Sequence, residues 1–191
     1  MSFPTAVQFA DLIITDHESV DGSEAANLRT QYRSRGSQRW EFKGSFPKMT
    51  RAEAAAVKAF IRLTGVGASF QIELPEHSDA RGTVSGTVRV NLLAGYPAGT
   101  SAIAIDGITG TLLEGDFIKF AGHDKVYMVV ADRSGAGTLT FSPSLRVAVA
   151  NNEVITYDGV EFTVRIPSNK MSYSISNDSL ETISLDLIEV V

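Results

Sequence analysis

Across residues 76–158, turn signals recur at about ten-residue spacing and leave room only for short strands. Asp106-Gly107, Glu114-Gly115-Asp116, Ser134-Gly135 and Asn151-Asn152 each set turn-forming residues between apolar runs. The runs occupy 86–92, 101–105, 117–120, 125–131, 137–141 and 153–157, and they are rich in Val, Ile, Phe and Thr. Strands so short and so evenly spaced bury an apolar face by closing on themselves, which predicts a small barrel or sandwich.

The flanking segments have a different texture. Alternation over 10–15 predicts a strand, and 16–27 reads as a polar loop with a turn at Asp21-Gly22. Strands are expected at 28–34 and 37–46, joined by a turn at Arg35-Gly36. Trp40, Phe42, Gly44 and Phe46 would share one face, and Arg39, Glu41 and Lys43 the other. Pro47 ends that run. Thr50-Arg51-Ala52-Glu53 is a capping box, so a helix is expected over 51–64, with Ala56, Val57, Phe60 and Ile61 as its apolar stripe and Gly65 as its stop. Further strands are expected at 68–74, 160–166, 171–175 and 180–190, the last with Ile183, Leu185 and Leu187 on one face. The composition shifts near Pro75 and Asp158. The expected organisation is therefore mainly β with one short α-helix: a unit split over 1–75 and 159–191, with a small barrel or sandwich inserted at 76–158.

The 191 residues include no Cys, which excludes a disulfide framework, a thiolate metal site and a thiol nucleophile. No run approaches the roughly 18–20 apolar residues of a membrane span, and the first residues lack the pattern of a signal peptide. A soluble protein made in a cytoplasm, with no membrane partner, is the expectation. The net charge of −5 hides an asymmetry. Between Arg29 and Arg62 nine basic residues face only Glu41 and Glu53, a net +7, while the remainder carries 8 basic and 20 acidic residues, a net −12. Arg33, Arg35 and Arg39 recur at strand spacing, as expected for the solvated face of a hairpin or for a face that meets an acidic protein surface. They are not a sequence-specific nucleic-acid site. Pairing between positive and negative patches of identical chains suits a ring.

The catalytic patterns are missing. His17, His77 and His123 are not at metal-ligand spacing, and there is no HExxH, nucleophile elbow or P-loop. His77, in Glu76-His77-Ser78-Asp79, and His123, in Gly122-His123-Asp124, read as turn residues. No cofactor or metal is expected. Trp40, Phe42 and Phe60 are candidates for core or interface packing.

Several runs carry a family resemblance. Leu74-Pro75, the stretch Asp79-Ala80-Arg81-Gly82-Thr83-Val84-Ser85-Gly86-Thr87 and then Val90-Asn91 resemble a motif of tail-tip proteins of long-tailed bacteriophages. Leu112-Leu113-Glu114-Gly115-Asp116-Phe117 resembles the next turn of that family, and Val126-Tyr127-Met128-Val129-Val130-Ala131-Asp132 its next strand. The run from Gly137 to Phe141, with Pro143-Ser144-Leu145-Arg146, resembles the strand and turn that follow. Arg39-Trp40-Glu41-Phe42 and Met49-Thr50-Arg51-Ala52-Glu53-Ala54 look like its earlier strand and capped helix. The resemblance spans about residues 39–166 and is to the distal tail proteins. It implies a virion protein assembled in the host cytoplasm, forming a homo-oligomeric ring, a hexamer in that family, between the tail tube protein and the baseplate hub protein. It also implies a split β-sandwich belt domain over 1–75 and 159–191, like that of tube proteins, an inserted small β-barrel at 76–158, like an oligosaccharide-binding fold, and no enzymatic activity. Trp40, Phe42 and Phe60 would then pack core or interface, and Arg33, Arg35 and Arg39 would make contacts between subunits or to the tube. In an alternative reading the barrel binds host-surface carbohydrate through Tyr96 and Tyr157.

Overall fold

The computed structural model describes residues 9–24, 26–65, 67–168 and 173–191. The chain is mainly β with one helix, and it forms a half-barrel sheet and a nearly closed barrel-like sheet. The half-barrel begins with β1 (Asp11–Glu24), β2 (Thr30–Ser45), α1 (Arg51–Thr64) and β3 (Ser69–Glu73). The chain then builds β4 (Arg89–Val90), β5 (Ala102–Asp106), β6 (Thr111–Leu112), β7 (Phe117–Phe120), β8 (Val126–Val129), β9 (Arg133–Ser134), β10 (Gly137–Ser142) and β11 (Ile155–Thr156). It returns to the first sheet with β12 (Glu161–Arg165), β13 (Tyr173–Ile175) and β14 (Glu181–Glu189). The half-barrel runs β1-β2-β14-β12-β3, with β13 on β14, and the other large sheet runs β11-β7-β8-β10-β5-β4. An Arg89–Val154 bridge, with Val90 N–H donating to Glu153 O and Ile155 N–H to Val88 O, brings the two ends of the latter together.

The half-barrel core follows strand alternation. Trp40 and Phe42 of β2, Phe46 just past its end, and Ile183, Leu185 and Leu187 of β14 are buried on the expected faces. Edge-to-face contacts link Phe42 to Phe162, Phe162 to Phe117 and Phe117 to Trp40, with centroids 5.1–5.2 Å apart. Phe117 belongs to β7, so the barrel contributes a ring to the half-barrel core. A second cluster, including Ile103, Ile118, Tyr127 and Phe141, fills the barrel.

α1 has the expected bounds and its capping box is formed in both directions. Its buried face differs from the expected stripe: Ala54, Val57 and Ile61 are buried, Phe60 is half-buried against Phe70, and Ala56 is exposed. The Thr50 N–H and hydroxyl hold Glu53 below the usual carboxylate range. The stability Glu53 lends the helix is thus present above its ordinary pKa of 4.5 and is lost as the pH falls through its lowered folded value.

The largest departure is the first hairpin. The expected loop at 16–27 is mostly strand, and β2 passes without a break through Arg35-Gly36. The register moves from Glu18 opposite Gln38 to Val20 opposite Ser34, so Arg35, Gly36 and Ser37 form a bulge across from Ser19. Gly36 takes the positive φ, 67°, that the bulge needs. Gly22 is a ladder residue opposite Tyr32, whose ring lies over it.

The motif at 79–87 acts through its backbone. Ser85 bridges Thr109, and the segment runs against 107–111 so closely that a Cβ on Gly82 would overlap Thr111 O and one on Gly110 would overlap Thr83 O. Arg81 donates its N–H and Nε to Asp116 Oδ1, at 3.2 and 3.0 Å, and an Nη2 hydrogen to Glu114 O. Gly82→Ala is expected to destabilise the protein by about 2 kcal/mol or more. Gly135→Ala, which meets nothing within 4 Å, carries only the backbone penalty of a positive φ, about 1 kcal/mol. Urea unfolding of the two variants measures the difference.

Candidate interaction surfaces and the joint that orients them

β14 pairs with β2 only over residues 41–45, whereas β1 pairs with β2 from residue 45 back to residue 30. Beyond Trp40 the hairpin therefore leaves the sheet as a two-stranded arm. Every described residue between 20 and 34 is exposed, including Val20, Leu28 and Tyr32. From Glu18 to Glu24 the arm extends about 20 Å at strand rise.

The base of the arm is fixed by a polar joint at the meeting of the two sheets. Glu189, on β14, is buried and has three partners. Its Oε2 accepts from Trp40 N–H at 3.0 Å and from Lys125 Nζ at 2.6 Å, and its Oε1 accepts from Val126 N–H at 2.9 Å. Trp40 Nε1 donates to Val126 O at 3.0 Å, and Lys125 Nζ lies 5.5 Å from the Trp40 ring centroid. Burial pushes the Lys125 ammonium below the usual lysine range, and the Glu189 carboxylate opposes that shift. Arg146, on a barrel loop, donates to Gln38 O at 3.0 Å, and Gln38 Nε2 donates to Asp16 Oδ1 at 2.6 Å. Beside the joint lies a cleft of about 270 Å³ lined by His17, Ser19, Ser37, Gln38, Arg39 and Arg146.

The residues singled out from sequence fall at separate places. Trp40 and Phe42 are buried in the half-barrel, and Phe60 lies at its margin. Arg33 is exposed on the arm, and the side chain of Arg35 lies outside the described residues. Arg39 donates Nε and Nη2 to Glu41 Oε1, at 2.8 and 2.6 Å, and with His17 holds Glu41 below the usual carboxylate range. Tyr96 and Tyr157 pack at the barrel margin. The Tyr96 hydroxyl accepts from Ala104 N–H at 2.8 Å, and that of Tyr157 donates to Gly86 O at 2.7 Å. His17 is on the arm and His77 is exposed in a loop. His123 is buried, with Nδ1 3.5 Å from Tyr127 Oη and Nε2 3.7 Å from Glu153 Oε1. The described residues include no group of three or more His, Asp or Glu able to hold a metal ion.

Sequence reasoning missed the joint, although β14 carried a signal for it. Glu181 and Glu189 share the alternating register of Ile183, Leu185 and Leu187, which places both carboxylates on the buried face. Each meets a lysine, Lys58 for Glu181 and Lys125 for Glu189. Compared with known proteins, the chain matches no family model and no curated protein.

Glu189→Ala leaves Lys125 buried without its counter-charge and is expected to cost about 3–5 kcal/mol. Lys125→Met combined with Glu189→Gln removes both charges, and the pair should be milder than Glu189→Gln alone. Urea unfolding of the three variants measures this.

Proposed function

We propose that the chain is a structural virion protein that forms a ring at the distal end of a long-tailed bacteriophage tail, between the tail tube and the baseplate hub. The resemblance over residues 39–166 suggests the family, and the arm is the observation that supports an assembling subunit. A two-stranded ribbon exposed on both faces is marginal in water and gains stability only from a surface that covers it. In addition, β1 has an unpaired edge among the described strands, so a neighbour's backbone can extend the sheet. Contacts between two different patches of identical subunits close into a ring when the rotation permits. The joint at Glu189 would hold the barrel at one angle to that ring. Function in this reading is mechanical, and the tube and hub proteins are the partners along the tail axis.

The test removes the arm without touching either core. Residues 19–37 are replaced by Asn-Gly, which joins Glu18 to Gln38 through a two-residue turn. The shortened protein should melt within about 5 °C of the full chain. It should lose self-association by light scattering and fail to complement tail assembly. A shortened protein that keeps the full oligomeric mass, or still builds functional tails, would sink the proposal.

A further inference from the structure

Two exposed surfaces of the chain are complementary. One is a face of the arm. Alternation puts Glu18, Val20, Gly22 and Glu24 of β1 on the same side as Ser34, Tyr32 and Thr30 of β2. Val20 is 46% exposed and Tyr32 75% exposed. Among the described side chains this face carries two carboxylates, of which Glu18 accepts from the Ser34 hydroxyl, and no cation; Asp21 and Arg33 lie on the other side.

The second is the outer face of α1. With Ala54, Val57 and Ile61 against the sheet, the helical rotation puts Leu63 on the opposite side, with Arg51 and Arg62 along one flank. Leu63 is 74% exposed. Between Arg51 and Leu63 the outer line carries only alanines, including Ala56 and Ala59, so nothing longer than a methyl group stops a flat ribbon from lying along it. Glu53 does not oppose the two arginines, because its carboxylate is held in the capping box.

The spacings also agree. Glu18 and Glu24 are about 20 Å apart along a strand, and Arg51 and Arg62 about 16 Å apart along a helix. Both surfaces belong to this chain and match each other in charge and contour, which makes a second copy the partner. We infer that the Glu18–Tyr32 face of one subunit's arm lies along the Arg51–Leu63 face of its neighbour's helix. Tyr32 and Val20 cover the methyl-lined surface, and the two glutamates face the two arginines. This rests on the ring reading above and names the contact that would build the ring.

The absence of Cys makes disulfide mapping clean. Tyr32→Cys protein is mixed under mild oxidation with Ala59→Cys or Leu63→Cys protein, and Leu93→Cys, on an exposed barrel loop, serves as control. Crosslinked dimers are expected in the first two mixtures and not in the control or in any single variant. In a second experiment, Glu18→Lys with Glu24→Lys, and separately Arg51→Glu with Arg62→Glu, should each weaken self-association about tenfold or more. Mixing the two charge-reversed proteins should restore it. If wild-type protein is oligomeric yet gives no Tyr32-to-helix crosslink and no rescue on mixing, the docking is overturned and the ring reading stands. If wild-type protein is monomeric at every concentration, both are overturned.

Discussion

The arrangement of this protein depends on one buried carboxylate. Burying Glu189 costs several kcal/mol in lost hydration, and that cost is offset only because its three donors converge from different parts of the chain. Trp40 N–H comes from β2, while Lys125 Nζ and Val126 N–H come from the start of β8. A rotation of the barrel against the half-barrel would strand a charge in the core. A purely apolar interface tolerates sliding far better, because hydrophobic contact has no direction. The Lys125–Glu189 pair therefore selects one angle between the sheets, and Phe117, inserted beside Trp40 and Phe162, supplies the apolar contact area around it.

Trp40 ties that angle to the arm. The residue whose N–H and indole hold the joint is the first of β2 beyond its pairing with β14, and Gln38, two residues further out, is held by Arg146 from the barrel. The arm thus departs in a direction fixed by both units and continues without a core of its own. In the proposed assembly, held base and bare ribbon would be complementary properties: the base would limit the orientations lost on docking, and the ribbon would offer surface that folding has not used.

Much of the frame was legible in the sequence, because alternation and turn chemistry act locally. The capping box at Thr50 and Glu53, the inward face of Trp40 and Phe42, and the strand at 117–120 follow from neighbouring residues alone. The arm was only half legible: its returning strand was expected at 28–34, but the strand character of 16–24 comes from pairing across the hairpin. Asp21-Gly22 looks like a turn until Tyr32 is placed opposite, and Arg35-Gly36 looks like a hairpin tip until Ser19 faces it as a bulge. Ala56 and Ala54 are equally apolar in composition, and only the position of the sheet decides which is buried. Glu189 sat in an apolar register, yet its partners lie 63 to 149 residues away in sequence.

The barrel residues that carry the family resemblance and the exposed residues of the arm do different work. Gly82 and Gly110 allow two backbones to touch, and Arg81 ties the same stretch to Asp116 and Glu114; both tasks are internal to the barrel. Such positions tolerate little change, because backbone overlap and an unpaired buried Asp116 are expensive wherever this fold occurs. The exposed part of the arm, by contrast, lies ahead of residue 39 and outside the region of resemblance. In the proposed ring its side chains would answer to a neighbour's surface rather than to a core, so one frame could serve assemblies with different contacts. On that proposal the arm is where this chain's own assembly specificity would be written.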